Sequence, residues 1–177
     1  PTTGHAEMAE GKIVILGAGG MLGTDVAAEF RQRGILTANF DLPEFDITNP
    51  QLLRQTLSGA GAVINCTAYT NVEKAESESE LAHKINGEAV GKLGEIAKEN
   101  GSWVLHISTD FVFDGKTDKP YTETDQPGPI NEYGRSKLAG ERLLIESGCR
   151  HCIMRVEWTY GAAGKNFVTK LVSAVKE

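Results

Sequence analysis

The segment from Lys12 to Gly34 constrains the fold of this chain more than any other. Lys12-Ile-Val-Ile-Leu16 is a short apolar run, too short for a helix, and reads as a fully buried parallel strand. Gly17-Ala-Gly-Gly-Met-Leu-Gly23 follows at once. Met21 to Arg33 then places Leu22, Val26 and Phe30 at helical spacing, and Gly34 closes the helix. In that context the glycines at 17, 20 and 23 let backbone approach a pyrophosphate, with the helix N-terminus facing the anion. The competing reading is a tight turn with close helix–sheet packing.

The rest of the chain repeats the alternation. Strands are predicted at Ile35–Phe40, Ala62–Asn65, Trp103–Ser108 and Cys152–Val156. Helices are predicted from Pro50 to about Ser58, in two stretches from Val72 to Asn100, from Tyr133 to about Glu146, and from Asn166 to Lys176. Asn49 before Pro50 is a helix-start pattern. Strands alternating with helices specify an α/β fold: a Rossmann-type, doubly wound parallel sheet with helices on both faces. Residues 1–10 form an N-terminal extension, read as a cloning remnant or native sequence, and residues 11–177 form one NAD(P)-binding Rossmann domain. The loop 114–130 is long and is either a substrate lid or wall, or a rigid irregular connection.

Composition narrows the function classes. The net charge of −6 argues against a nonspecific nucleic-acid binder. No apolar stretch approaches the ~20 residues that span a bilayer. Three cysteines, Cys66, Cys149 and Cys152, make no disulfide framework and fit a reduced, cytoplasmic setting. Cys149-Arg-His-Cys152 has the spacing of half a zinc site but lacks a matching second pair, so no metal is expected, and the segment reads as the lead into a buried strand.

Two further groups carry chemistry. Tyr133 and Lys137 stand four apart on one predicted helix face. An ammonium beside a phenol favours the phenolate and is expected to lower the tyrosine pKa, giving a residue able to pass a proton near neutral pH. Ser108-Thr109-Asp110 closes a strand, where the ligand crevice of a doubly wound sheet lies. A hydroxyl there can donate to a carbonyl that is becoming an alkoxide, or merely cap the strand end. Asp41 ends the second strand, where an acid bonds the adenosine ribose and favours NAD, although Arg31 and Arg33 lie near and a solvated turn residue is the alternative.

Four blocks carry a family resemblance: Val63 to Glu76, His106 to Gly115, Asn131 to Glu141, and Arg155 to Gly161. With the glycine turn, the chain resembles the extended short-chain dehydrogenase/reductase superfamily and, more narrowly, the dTDP-4-dehydrorhamnose reductase family. The resemblance implies reduction of the C4 ketone of dTDP-4-dehydro-L-rhamnose by NADP(H) or NAD(H). It implies Tyr133 as proton donor, Lys137 as its partner and a ligand of the nicotinamide ribose, and Thr109 as third member. Thr109 and Asp110 would touch the sugar nucleotide and Trp158 would line the substrate side. Gly20, Met21 and Leu22 would meet the pyrophosphate, Asp41, Asp46 and Ile47 the adenosine, and Ala68, Tyr69 and Thr70 the length of the cofactor. A homodimer stays open.

Departures from the family pattern are Cys66 and Thr67 in place of alanines, and Glu157 in place of serine beside Trp158. The resemblance also implies that a C-terminal substrate domain is largely absent from this chain. Two alternatives stay open. One is a non-catalytic NADP-binding regulatory subunit resembling the methionine adenosyltransferase β subunit. The other is a nucleotide-sugar epimerase or dehydratase.

Overall fold

A computed structural model describes residues 11–161, 163 and 166–176. The N-terminal extension, residues 1–10, lies outside the described residues. Five strands, β1 (Lys12–Leu16), β2 (Thr37–Phe40), β3 (Ala60–Asn65), β4 (Trp103–Thr109) and β5 (Arg150–Val156), form one sheet in the order β2-β1-β3-β4-β5. Every pairing is parallel, as the alternation of elements predicts. The helices are α1 (Met21–Gln32), α2 (Pro50–Leu57), α3 (Val72–Ala75), α4 (Ser79–His83), α5 (Ala89–Asn100), α6 (Glu132–Ser147) and α7 (Phe167–Lys176). A π-helical turn, Lys84–Glu88, joins α4 to α5.

The chain leaves β1 towards β2 on one side and later returns to β3 on the other. This reversal puts a crevice at the carboxyl ends of β1 and β3. Asn49 caps α2 as its position before Pro50 predicts, accepting from the N–H groups of Gln51 and Leu52, each at 3.1 Å.

The two faces of the sheet differ in depth. Val14, Leu16, Val63 and Val104 point to one face and pack with Leu53 and Leu57 of α2, Val90, Leu93 and Ile96 of α5, and Leu144 of α6. Ile15 and Ile64 point to the other face and meet chiefly Ala27, Val26 and Phe30 of α1. The expectation that β5 is buried is corrected. Among the described residues it is an edge strand, paired to β4 alone, and Cys152 and Met154 are exposed. Cys149 is buried, and all three cysteines are free thiols.

The loop 114–130 is an ordered, irregular connection. The Phe113 and Tyr121 rings stack at 4.1 Å, the Tyr121 hydroxyl donates to Asp114 at 2.7 Å, and Gly128 N–H donates to the Val112 carbonyl at 2.9 Å.

Candidate active site

The segments leaving the carboxyl ends of β1 to β5 line one cleft of about 840 Å³. The glycine turn shapes one wall. Gly17 has φ 77°, and a Cβ there would lie 2.8 Å from the Thr67 nitrogen. A Cβ on Gly23 would run into the Gly17 carbonyl oxygen. Gly20 is the N-cap of α1 and supplies no capping side chain, so the first N–H groups of α1 keep free donors at the cleft. Asp41 lines the same wall, but backbone engages both its oxygens. Gly19 N–H donates to Oδ2 at 2.6 Å and Leu42 N–H to Oδ1 at 2.8 Å. The carboxylate thus latches the end of β2 to the glycine turn, and each oxygen keeps a lone pair for a further donor.

The opposite wall is set by α6. Asn131 Oδ1 accepts from Gly134 N–H at 2.7 Å, and Glu76 Oε1 reaches across from the end of α3 to accept from Glu132 N–H at 2.8 Å. Two of the orphan donors at the helix start are thereby satisfied. Gly134 lies against the Phe111 carbonyl and Gly140 against the Asn86 carbonyl, so α6 approaches the β4 loop and the π turn more closely than a side chain would allow. Asn86 is fully buried in the π turn. Its Oδ1 accepts from Tyr69 N–H at 2.8 Å, and its Nδ2 donates to the Tyr69 carbonyl and to Ser136 Oγ, each at 3.0 Å. One side chain therefore ties the loop after β3 to α6.

Thr109, Asp110, Tyr133 and Lys137 all line the cleft. The Tyr133 ring meets Phe111 edge-on at 5.5 Å. Lys137 is almost fully buried and its Nζ donates to the Ile107 carbonyl at 2.7 Å. Burial pushes its pKa down to about 8, while Glu141 and then Cys66 act to raise it. The expectation that this lysine lowers the Tyr133 pKa is corrected. Burial raises the phenol above its ordinary value, Asp110 adds to the rise, and the Thr109 hydroxyl opposes it. The lysine is directed at a carbonyl of β4, and desolvation of the phenolate dominates.

Gly17, Gly20, Met21, Leu22, Gly23, Asp46, Ile47, Ala68, Thr70 and Trp158 also line the cleft. Trp158 has φ 47° and packs edge-on to Phe167 at 4.9 Å. Tyr69 is the exception. It is absent from the lining, and its hydroxyl donates to Glu78 at 2.6 Å, which holds its pKa up at about 12. No residue of 114–130 lines the cleft.

Buried polar residues behind the cleft carry no motif of their own in the sequence. Asn65 Oδ1 accepts from Thr67 N–H at 3.1 Å and from its hydroxyl at 2.6 Å, which turns Asn65 Nδ2 towards His106 Nδ1 at 3.1 Å. The ring therefore accepts at Nδ1 and carries its proton on Nε2, a buried atom without a partner among the described residues. Burial first, then the Lys137 charge, holds its pKa well below the usual histidine value. The sequence signal for Asn65, Asn86, His106 and Glu141 was a polar residue at an inward position of an otherwise apolar element. Among the described residues no cluster of three or more His, Cys, Asp or Glu is placed to hold a metal, and no helix is long and apolar enough to cross a membrane.

Sheet order, glycine turn and cleft together define a Rossmann-type α/β domain. Residues 11–177 match the family described as RmlD substrate binding domain, and the chain belongs to that family. It is 38% identical over 171 residues to dTDP-4-dehydrorhamnose reductase of Escherichia coli (strain K12), covering 93% of this chain and 57% of that protein. The chain thus spans little more than half the length of this curated relative. Among solved structures it resembles dTDP-4-dehydrorhamnose reductase from Bacillus anthracis in complex with NADP. The TM-score there is 0.90 at 35% identity, covering 94% of this chain and 60% of that one. A dTDP-4-dehydrorhamnose reductase from Clostridium acetobutylicum gives 0.88 at 35% identity, covering 93% and 59%.

Proposed function

We propose that this chain binds NADP(H) or NAD(H) across the carboxyl ends of its strands and serves in reducing the C4 ketone of dTDP-4-dehydro-L-rhamnose to dTDP-L-rhamnose. The observation that carries this reading is the meeting of Thr109, Tyr133 and Lys137 in the same cleft as the glycine turn. The curated relatives named dTDP-4-dehydrorhamnose reductase support the choice of substrate. Residues 11–177 are read as the cofactor-binding unit, and the free thiols suit a cytoplasmic protein.

The residues present fit a dinucleotide. No Cβ fills the turn at Gly17 or Gly23, and the open N–H groups of α1 suit a pyrophosphate. The bound cofactor, when reduced, supplies a hydride. The chain supplies the rest. Tyr133 stays protonated at neutral pH because burial raises its pKa, so it acts as the acid that protonates the ketone oxygen as the C4–H bond forms. The Thr109 hydroxyl, which here donates to Asp110 Oδ1 at 2.9 Å, would turn to donate a hydrogen bond to the same oxygen. Lys137, the partner of Tyr133, would hold the nicotinamide ribose, and the phenolate left behind regains its proton from solvent. Asp110 and Trp158 face the sugar side.

Two measurements on the full-length gene product test this. NADPH and NADH are titrated in separately, and tight binding of at least one is expected. Loss of reduced-nicotinamide absorbance on adding the dTDP-keto sugar is then followed. Absence of binding by either cofactor would sink the reading. Binding without turnover would favour a regulatory role, and cofactor that stays bound through purification would favour an epimerase or dehydratase.

A further inference from the structure

Three consecutive residues of β4 meet α6 by different means. The Ile107 carbonyl accepts from Lys137 Nζ at 2.7 Å, and the Ser108 hydroxyl donates to Glu141 Oε1 at 2.5 Å. Thr109 faces the Tyr133 phenol. Tyr133, Lys137 and Glu141 are spaced four apart, so they stack along one face of the helix. Glu141 is a carboxylate only 2% exposed, and the proposed hydride transfer has no direct use for it. Its other partner is Arg155 of β5. Nε donates to Oε1 at 3.0 Å and Nη2 to Oε2 at 2.6 Å, a two-pronged contact, while the guanidinium lies 4.9 Å over the Phe113 ring.

A carboxylate is buried at this depth only where its charge is matched and its lone pairs are used. Arg155 and Ser108 meet both needs and fix the carboxylate one helical turn from Lys137. Among the described residues Lys137 itself has one hydrogen-bond acceptor, a neutral carbonyl, which satisfies a donor without neutralising the charge. Among the described residues, the charged or titratable groups around it are Tyr133 and Glu141 on its own helix, Cys66 after β3, His106 on β4, and Arg155 behind Glu141 on β5. Among these Glu141 is the carboxylate.

We propose that Glu141, clamped by Arg155 and Ser108, is a positioning residue that keeps Lys137 an ammonium beside Tyr133. This rests on the reading of Lys137 as the partner of Tyr133. Glu141 touches neither substrate nor cofactor and acts through the lysine. Arg155 tempers the effect, because its own positive charge partly cancels the field of the carboxylate at Lys137.

The test reads the lysine directly and needs no turnover. The Lys137 ε-methylene is followed by NMR across an alkaline titration, assigned by its absence in Lys137→Met. In Glu141→Gln the titration midpoint is expected to fall by about one pH unit or more, the usual effect of losing a close opposite charge. In Arg155→Met, which keeps an unbranched side chain but removes a positive charge, the midpoint is expected to rise. Shifts of opposite sign cannot come from general loosening of the core. An unmoved midpoint in Glu141→Gln overturns the proposal, and so does a fall in Arg155→Met, which is also the deciding outcome if Glu141→Gln does not fold. Failure of ketone reduction, with these shifts present, would count against the proposed activity and leave the role of Glu141 intact.

Discussion

The wall of the cleft formed by β1, β2 and α1 presents backbone, whereas the wall formed by β4 and α6 presents side chains. On the first wall the determinants are missing atoms: no Cβ on Gly17 or Gly23, and N–H groups at the start of α1 left open. Its charged side chains are held by backbone, Asp41 at both oxygens and Asp46 at Oδ1. On the second wall Tyr133, Lys137 and Glu141 sit in a poorly solvated layer, and the pKa directions of Tyr133 and Lys137 follow from burial and near neighbours. The first wall can recognise shape and negative charge. The second can move a proton. Damage to the first should therefore appear in binding, and damage to the second in turnover.

The largest effect separates them most sharply. Tyr133→Phe removes the proposed proton donor and keeps the ring against Phe111. Turnover of the keto sugar is expected to fall about 10²–10⁴-fold, the usual worth of a positioned acid. Cofactor affinity should change little. Steady-state kinetics beside a cofactor titration decide it, and a rate within about threefold of wild type would remove Tyr133 from the chemistry.

Gly23→Ala is the matching perturbation of the other wall. Its Cβ would meet the Gly17 carbonyl, so the glycine turn and the start of α1 must separate. The expected cost is about 1–3 kcal/mol, appearing as weaker cofactor binding together with a lower Tm. With cofactor saturating, the turnover of the variant should stay near wild type. Unchanged cofactor affinity would show that the close packing at Gly23 serves only the fold.

The same contrast explains what was legible in the sequence. The first wall is local: strand, glycine turn and helix are contiguous, and steric rules for glycine act at short range, so Lys12 to Arg33 could be read directly. The alternation of strands and helices likewise gave the parallel sheet. The second wall is assembled from distant segments. Tyr133–Lys137 was visible as a spacing, but the sign of the tyrosine shift depends on burial and on Asp110, which no spacing encodes. Glu141 and Arg155 lay in blocks already matched to a family, yet their pairing crosses from α6 to β5. The misreading of β5 as buried has a similar cause. An apolar run shows that a strand can be buried, while its place at a sheet edge is set by topology.

The smallest expected effect is the pH dependence of stability, and it tests whether the second wall is as dry as its geometry implies. Lys137 has a folded pKa of about 8 against an ordinary value of 10.5. Between those values the unfolded chain binds more protons at this site than the folded chain, so stability rises with pH there. Cys66 acts in the opposite sense. Burial raises its thiol to about 11 from 9.0, so above pH 9 the folded chain holds a proton that the unfolded chain loses, and stability falls. The two contributions leave a window from pH 8 to 9 in which the lysine acts nearly alone. Denaturant unfolding should gain up to about 1 kcal/mol across that window, close to the 1.36 kcal/mol that one proton contributes per pH unit. Above pH 9 the gain should level off, and in Cys66→Ala it should continue upward. Lys137→Met should abolish the rise. A flat profile from pH 8 to 9 in the unmodified chain would mean that water reaches Lys137, and the contrast between a backbone wall and a buried electrostatic wall would lose its physical basis.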